Sequence, residues 1–170
     1  MEIQRLEFVK PTPHVDNRGS FTRLVDSLWG VPPILQVSVS YNQSVGTLRG
    51  MHSSIRSSEE FKVVSCMQGA ISDFVIDLRP ESLDYLKVLN FELTASDPGS
   101  LLIPPGCAHG YVTREPNTRV LYSMSSLFNA STEVGYLWND PLLGIEWPIE
   151  PTVISERDLS FELLIERPSL

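Results

Sequence analysis

Two stretches of the sequence decide its fold: Gly46-Thr47-Leu48-Arg49-Gly50-Met51-His52 and Gly99-Ser100-Leu101-Leu102-Ile103-Pro104-Pro105-Gly106-Cys107-Ala108-His109-Gly110. Both mix apolar residues with glycine or proline, as is typical of short strands joined by tight turns. Each contains one histidine, and the remaining histidine of the chain, His14, lies in the N-terminal arm. We predict that the two stretches belong to two halves of one barrel and direct two imidazoles into the same interior.

Further strand-like segments surround these stretches and recur at roughly the 8–12-residue spacing of a sandwich or barrel. Residues 34–41 alternate in polarity like a half-buried strand, and Asp26–Gly30 has the sequence of a short helical turn. Gln68-Gly69, between two strand-like runs, is typical of a hairpin turn. We predict strands over residues 1–10, 20–24, 34–41, 61–67, 70–78, 85–93, 100–103, 111–113 and 119–126.

Helical sequence occurs only near the C-terminus. Ser155–Asp158 forms a capping box in front of apolar residues over 159–164. We therefore predict one all-β domain over residues 1–170, with an N-terminal arm (1–30), a barrel (31–150) and a short C-terminal helix (151–170). A double-sheet jelly roll, the cupin-type barrel, closes this many short antiparallel strands.

Composition restricts the partners and the compartment. The chain has 170 residues and a net charge of −8, without a basic run, which argues against nucleic acid as a partner. An anionic ligand would need a local cluster of Arg and Lys. Cys66 and Cys107 have no zinc or redox spacing, which favours a reducing cytoplasm. No apolar run reaches the length of a membrane span, and the N-terminal residues do not resemble a signal peptide.

The two histidines occupy ligand positions of a known metal motif. Metal-binding cupins carry Gly-x5-His-x-His-x3,4-Glu and, further on, Pro-x-Gly-x2-His. Here His52 and His109 fit, but Ser54 stands for the second histidine and Lys62 for the glutamate. A lysine ammonium among the ligands repels a divalent cation. We predict a barrel that has kept the pocket and has no metal site.

With these substitutions the chain resembles, over most of its length, the dTDP-4-dehydrorhamnose 3,5-epimerase family. The matching stretches are Arg18-Gly19-x-Phe21, Leu48–His52, Phe61–Val64, Asp73–Arg79, Ile103-Pro-x-Gly106-x2-His109-Gly110-Tyr111, Leu121-Tyr122 and Trp138-Asn-Asp140-Pro-x2-Gly144-Ile145-x-Trp147-Pro148.

The resemblance implies a nucleotide-linked 4-keto-6-deoxyhexose as substrate, most simply a dTDP-sugar. The C4 ketone acidifies the protons on C3 and C5. A base removes one proton to give an enolate, and an acid returns a proton to the other face of the ring. This chemistry implies neither a redox cofactor nor a metal, provided that a cation stabilises the enolate oxygen.

The resemblance also assigns roles. It implies that His52 is the base, oriented by Asp158, that Tyr122 is the acid, and that Lys62 stabilises the enolate. The substrate-binding residues that it implies are Arg49 and Arg18 for the pyrophosphate, with Arg18 supplied by the other subunit of a homodimer, and Asn42, Phe21 and the pair His109 and Asp73.

Some of these residues could instead have purely structural roles. Asp158 lies at the third helical position, where it could only cap the helix, and His109 could only support the pocket wall. Phe128 replaces a second aromatic hydroxyl that the family has after the tyrosine, and Ser53-Ser54 replaces an aromatic residue followed by Gln. These departures leave open the sugar, the nucleotide, and whether C3, C5 or both are inverted.

Two other functions fit the same barrel. One is a metal-dependent cupin enzyme, against which Ser54 and Lys62 argue. The other is a non-catalytic sugar-binding cupin, which would bind the substrate without exchanging its C3 or C5 protons with solvent.

Overall fold

Short strands make up most of the fold. The computed structural model describes residues 6–53, 60–129 and 132–164. The strands in this part are β1 (Glu7–Val9), β2 (His14–Asp16), β3 (Gly19–Phe21), β4 (Gln36–Asn42), β5 (Leu48–Ser53), β6 (Lys62–Gln68), β7 (Ala70–Asp77), β8 (Val88–Thr94), β9 (Ser100–Ile103), β10 (Cys107–Thr113), β11 (Thr118–Met124) and β12 (Val134–Gly135). A 3-10 turn at Ser27–Trp29 confirms the short helical turn that the sequence predicts, and α1 covers Glu156–Leu159.

The strands form two antiparallel sheets of five. The first has the order β1-β9-β6-β11-β4, and the second has the order β12-β5-β10-β7-β8. A separate hairpin pairs β2 with β3. The predicted all-β double-sheet architecture of the cupin type is therefore confirmed.

The apolar core lies between the two sheets. Val64 and Val120 of the first sheet and Ile71, Val75 and Tyr111 of the second belong to one cluster and have at most a trace of exposed surface. Each such aliphatic side chain contributes about 1.5–3 kcal/mol by leaving water. Strands held in this way give the residues at the barrel interior a rigid frame.

The predicted hairpin at Gln68-Gly69 is wrong. Strand β6 pairs with β9 and β11, whereas β7 pairs with β8 and β10, so the turn joins strands of different sheets. Gly69 has a φ of +76°, and a Cβ there would lie 2.3 Å from Thr118 Oγ1. The local sequence indicates a tight turn, but which strands pair across it depends on distant segments.

The C-terminal helix is shorter than predicted. Its cap is as expected, because Ser155 Oγ accepts the N–H of Asp158 at 3.1 Å. The helix ends at Leu159, however, and neither 151–155 nor 160–163 is helical. The backbone N–H of Leu137 donates to the carbonyl of Glu162 at 3.1 Å, so the chain there bonds to a neighbouring segment instead of to itself. Residues 165–170 lie outside the described part.

The N-terminal arm divides into two parts. Strand β1 pairs with β9 at the edge of the first sheet, which confirms the predicted edge strand over 7–9. The hairpin of β2 and β3 then projects from the barrel, and all six of its strand residues are exposed.

Strand β4 has its polar side toward the barrel interior. The predicted alternation is present, but Val37, Val39 and Tyr41 are the exposed residues, at 60%, 55% and 48%. Ser40 and Asn42 point the other way, toward the interior. The strand thus presents hydrogen-bonding groups to the site and an apolar face to the outside.

Candidate active site

A pocket of about 200 Å³ opens between the two sheets, which both contribute residues to it. From the second sheet come Arg49 and His52 on β5 and His109 on β10. The first sheet contributes Lys62 on β6 and Tyr122 on β11. The remaining lining residues are Ser40, Glu60, Met124, Phe128, Asn129, Thr132 and Glu133.

The two histidines lie side by side. His52 and His109 are directly opposite one another in the pairing of β5 with β10, and opposite residues of an antiparallel pair project from the same face of the sheet. This register brings both imidazoles to the interior, as the two sequence stretches predict.

His52 is bonded to a buried carboxylate. Its Nε2 lies 3.0 Å from Oδ1 of Asp158, and Oδ2 of Asp158 accepts the N–H of Gly50 at 3.1 Å. Because an ionised carboxylate only accepts hydrogen bonds, Nε2 of His52 is the donor in this pair. Burial alone would raise the pKa of Asp158, but the hydrogen bonds from His52 and Gly50 outweigh it and lower that pKa overall. Asp158 therefore stays ionised and orients the imidazole.

A second histidine–carboxylate pair lies beside the first. Nδ1 of His109 is 3.2 Å from Oδ1 of Asp73, and both side chains are buried. Burial raises the pKa of Asp73, although the charges of His109 and Lys62 act in the opposite direction. The His109 ring lies edge-on to the ring of Tyr122, with centroids 6.1 Å apart.

Lys62 points into the pocket rather than to bulk water, with 13% of its side chain exposed. Its Nζ lies 3.1 Å from Oε1 of Glu60, whose Oε2 accepts the hydroxyl of Ser126 at 2.6 Å. The ammonium is thus held near His52 and His109 by a carboxylate that is itself fixed.

Tyr122 is the candidate proton donor. Burial, Tyr111 and Asp73 raise its pKa well above the ordinary value, and Arg49 opposes them. Its hydroxyl hydrogen-bonds the hydroxyl of Tyr111. Tyr122 therefore carries its proton at neutral pH.

Arg49 is fixed by an amide. Its Nε donates to Oδ1 of Asn42 at 2.8 Å, and Nδ2 of Asn42 donates to the hydroxyl of Tyr111 at 3.1 Å. Asn42 is buried and does not itself line the pocket. It connects the cation at the pocket wall to the tyrosine pair.

The structure does not bring Arg18 or Phe21 to this pocket. Both lie on the exposed hairpin of β2 and β3, where Phe21 is 68% exposed. Arg18 Nη2 bonds Oδ2 of Asp16 at 2.6 Å. The other predicted site residues either line the pocket or bond directly to a residue that does.

Sequence reasoning overlooked the contributions of Ser40, Glu60 and Tyr111. For Ser40 a signal was available, since it shares a strand face with Asn42. Glu60 stands two residues before Lys62, a spacing too common to be informative. The hydroxyl of Tyr111 meets Tyr122 across two sheets, and no local pattern reveals such a contact.

A larger depression of about 860 Å³ lies elsewhere, bordered by Trp29 and the segment 81–84. Two of its charged residues, Asp77 and Arg79, pair with one another at 2.6 Å. The predicted site residues are not among those that line it, so we place the chemistry in the smaller pocket.

Within the described ranges, no cluster of three or more His, Cys, Asp or Glu residues could hold a metal ion. Ser54, the replaced ligand, lies outside those ranges. In the described part of the chain, no helix is long and apolar enough to cross a membrane.

The pocket of this cupin-type barrel joins a carboxylate-bound histidine, a tyrosine and a lysine, which are groups that proton abstraction next to a ketone can use. A family model described as dTDP-4-dehydrorhamnose 3,5-epimerase matches residues 1–166, and the chain belongs to this family of isomerases.

Individual relatives match this chain over almost its whole length. The dTDP-4-dehydrorhamnose 3,5-epimerase of Sinorhizobium fredii is 31% identical over 99% of this chain and 89% of the relative. The Legionella pneumophila enzyme in complex with dTDP-4-keto-L-rhamnose superposes with a TM-score of 0.87 at 26% identity, over 98% of this chain and 91% of that one. ChmJ, a 3'-monoepimerase from Streptomyces bikiniensis, in complex with dTDP-quinovose, superposes with a TM-score of 0.84 at 26% identity, over 93% of this chain and 83% of that one.

Proposed function

We propose that this chain inverts C3, C5 or both of a dTDP-linked 4-keto-6-deoxyhexose, with His52 as base and Tyr122 as acid. One observation carries the proposal: His52 on β5 and Tyr122 on β11 reach one pocket from two facing sheets. An inversion needs a proton acceptor and a proton donor on opposite faces of the sugar ring, and the facing sheets supply them.

The steps balance without a redox partner. His52 takes a proton from the carbon next to the ketone, and the C–H electrons move through the new C=C bond onto the C4 oxygen. Lys62 donates a hydrogen bond to that enolate oxygen. Tyr122 then gives its proton to the opposite face of the carbon, and the ketone re-forms. Solvent returns the protons of His52 and Tyr122 to their starting positions.

The nucleotide is held by cations near the pocket in this proposal. Arg49, oriented by Asn42, suits a pyrophosphate because its guanidinium forms paired hydrogen bonds with phosphate oxygens. The choice of dTDP is supported by relatives solved with TDP and pyrophosphate or with dTDP-sugars.

We also propose a homodimer in which Arg18 enters the site of the other subunit. An isolated two-stranded hairpin is marginally stable in water, and the hairpin of β2 and β3 exposes Val15 and Phe21. The apolar outer face of β4 adds a second uncovered surface. A cytoplasmic location is in keeping with the free, buried thiols of Cys66 and Cys107.

Proton NMR in D₂O tests the activity. Purified protein is incubated with a dTDP-linked 4-keto-6-deoxyhexose, and the C3 and C5 signals are followed with and without a chelator. We expect deuterium at the inverted carbon and no effect of chelation. Binding without exchange would support a sugar-binding protein instead, and activity restored only by a divalent metal would support a metal-dependent enzyme. Parallel GDP-, CDP- and UDP-linked sugars test the nucleotide.

A further inference from the structure

The hydroxyl of Tyr111 lies behind the candidate acid. The ring belongs to the apolar core and has no exposed surface, so a phenylalanine would pack there equally well. Its oxygen nevertheless has polar partners on β4. Ser40 Oγ lies 2.8 Å away, and Asn42 Nδ2 donates at 3.1 Å.

These partners and Tyr122 compete for the hydrogen bonds that one phenol can make. A phenol oxygen accepts two hydrogen bonds and donates one. Tyr111 hydrogen-bonds Tyr122 and accepts from Nδ2 of Asn42. The nearest acceptor for its own hydrogen is Ser40 Oγ at 2.8 Å, and Oδ1 of Asn42 lies farther away at 3.3 Å. Ser40 lines the pocket, so this chain of hydroxyls runs from Tyr122 through buried Tyr111 back to the pocket.

Proton transfer from Tyr122 changes what its oxygen requires. The phenolate left behind has lost its donor hydrogen and needs a hydrogen bond in return. The O–H of Tyr111 is within reach and has only to rotate away from Ser40. Arg49 is the nearby cation, and Asn42 holds it at a fixed position relative to the same two phenols.

We propose that Tyr111 is a positioning residue for Tyr122, which it orients before proton transfer and to whose phenolate it then donates a hydrogen bond. The hydrogen bond between Tyr111 and Ser40 breaks when Tyr111 turns to the phenolate. Water in the pocket then returns a proton to Tyr122 through Ser40 and Tyr111. The inference rests on the proposed role of Tyr122 as the acid. It also supplies a second phenol to a chain that carries Phe128 where the family resemblance implies an aromatic hydroxyl.

Tyr111→Phe tests this role, because it removes one oxygen and keeps the ring. Losing a hydrogen bond to a charged group predicts a fall in kcat for inversion of about 10- to 100-fold. Deuterium should still enter the recovered, uninverted substrate at the normal rate, because His52 takes and returns that proton. KM should change by less than about two-fold, since the contact forms with the transition state.

The matched control is Tyr41→Phe. Tyr41 lies on β4 beside Asn42 but faces outward, and its hydroxyl donates to Asn117 at 2.6 Å. Both exchange and inversion should be unchanged in this variant. Equal losses of exchange and inversion in Tyr111→Phe would mean a merely structural role and would overturn the proposal, as would unchanged inversion.

Two further variants make the outcome decisive. If Tyr111→Phe fails to fold by circular dichroism, Ser40→Ala tests the same path, with inversion slowed several-fold and exchange intact; normal inversion there would overturn the proposal. Tyr122→Phe is measured alongside. Normal inversion by Tyr122→Phe would show that Tyr122 is not the acid and would refute the proposed function. If Tyr122→Phe loses inversion while Tyr111→Phe inverts normally, only the role of Tyr111 is refuted.

Discussion

Asp158 takes part in two structures at once. Its backbone N–H is capped by Ser155, and its carboxylate bonds His52 and the N–H of Gly50. From the sequence alone, a helix cap and an orienting carboxylate are competing interpretations. The geometry assigns the cap to the Ser155 side chain and leaves the Asp158 carboxylate for His52.

Asp158→Asn should therefore separate folding from activity. The amide keeps the size of the side chain and the capped N–H, but it removes the charge that stabilises protonated His52. We expect kcat to fall by about 10² to 10⁴, the usual contribution of acid–base groups, in a variant whose circular dichroism spectrum shows that it still folds. A variant that keeps wild-type turnover would exclude Asp158 from the mechanism.

The same carboxylate should make stability depend on pH. The folded-state pKa of Asp158 lies below its ordinary value of 3.8. Its ionised form therefore stabilises the fold above pH 3.8, and this contribution disappears as the pH falls through the lower, folded-state pKa. Urea unfolding of wild type and Asp158→Asn should give free energies that differ near neutrality and converge in acid. A difference independent of pH would contradict this assignment.

At the scale of elements, close backbone contact between β5 and β10 holds the two histidines opposite one another. Gly50 has a φ of +141°, and a Cβ there would lie 2.4 Å from the Cα of Gly110. The pairing register shifts between His109 and Tyr111. A side chain at Gly50 would separate the strands at the point where the site is built.

Gly50→Ala should be strongly destabilising, by about 3 kcal/mol or more, because strain and a backbone clash combine. Gly144→Ala is the matched control. Gly144 also has a positive φ, +55°, but a Cβ there meets nothing within 4 Å, so only the conformational cost of about 1–2 kcal/mol applies. Urea unfolding of the two variants measures the difference. Equal losses would show that the contact with Gly110 does not matter.

Local sequence predicts the strands and the cap well, because a period of two residues and a capping box are short-range signals. It does not predict the pairing across Gly69 or the end of the helix at Leu159, which depend on bonds from distant segments. The site divides in the same way. Motif positions identify His52 and Lys62, whereas the contact of Tyr111 with Tyr122 exists only after the two sheets face one another.

At the scale of the whole molecule, two uncovered surfaces support the proposed homodimer. One is the apolar face of β4, and the other is the hairpin that carries Arg18. Arg18 is 85% exposed and bonds only Asp16 among its neighbours in the described residues. A positive side chain presented in this way is available to an anion held by another copy of the chain.

The last prediction combines the dimer with the shared site. Light scattering should give about twice the chain mass of 19.1 kDa. Arg18→Ala should lower kcat/KM by about 10- to 100-fold, as expected for a lost charged hydrogen bond to phosphate, and His52→Asn should be inactive.

If Arg18 acts across the interface, a mixed dimer has one site with His52 from one subunit and Arg18 from the other. Unfolding and refolding an equal mixture should then recover about a quarter of wild-type activity, since half of the dimers are mixed and each has one intact site. The control is the same mixture of separately refolded variants, which should show only the residual activity of Arg18→Ala. No recovery on co-refolding, in a protein that remains dimeric, would place Arg18 outside the partner's site.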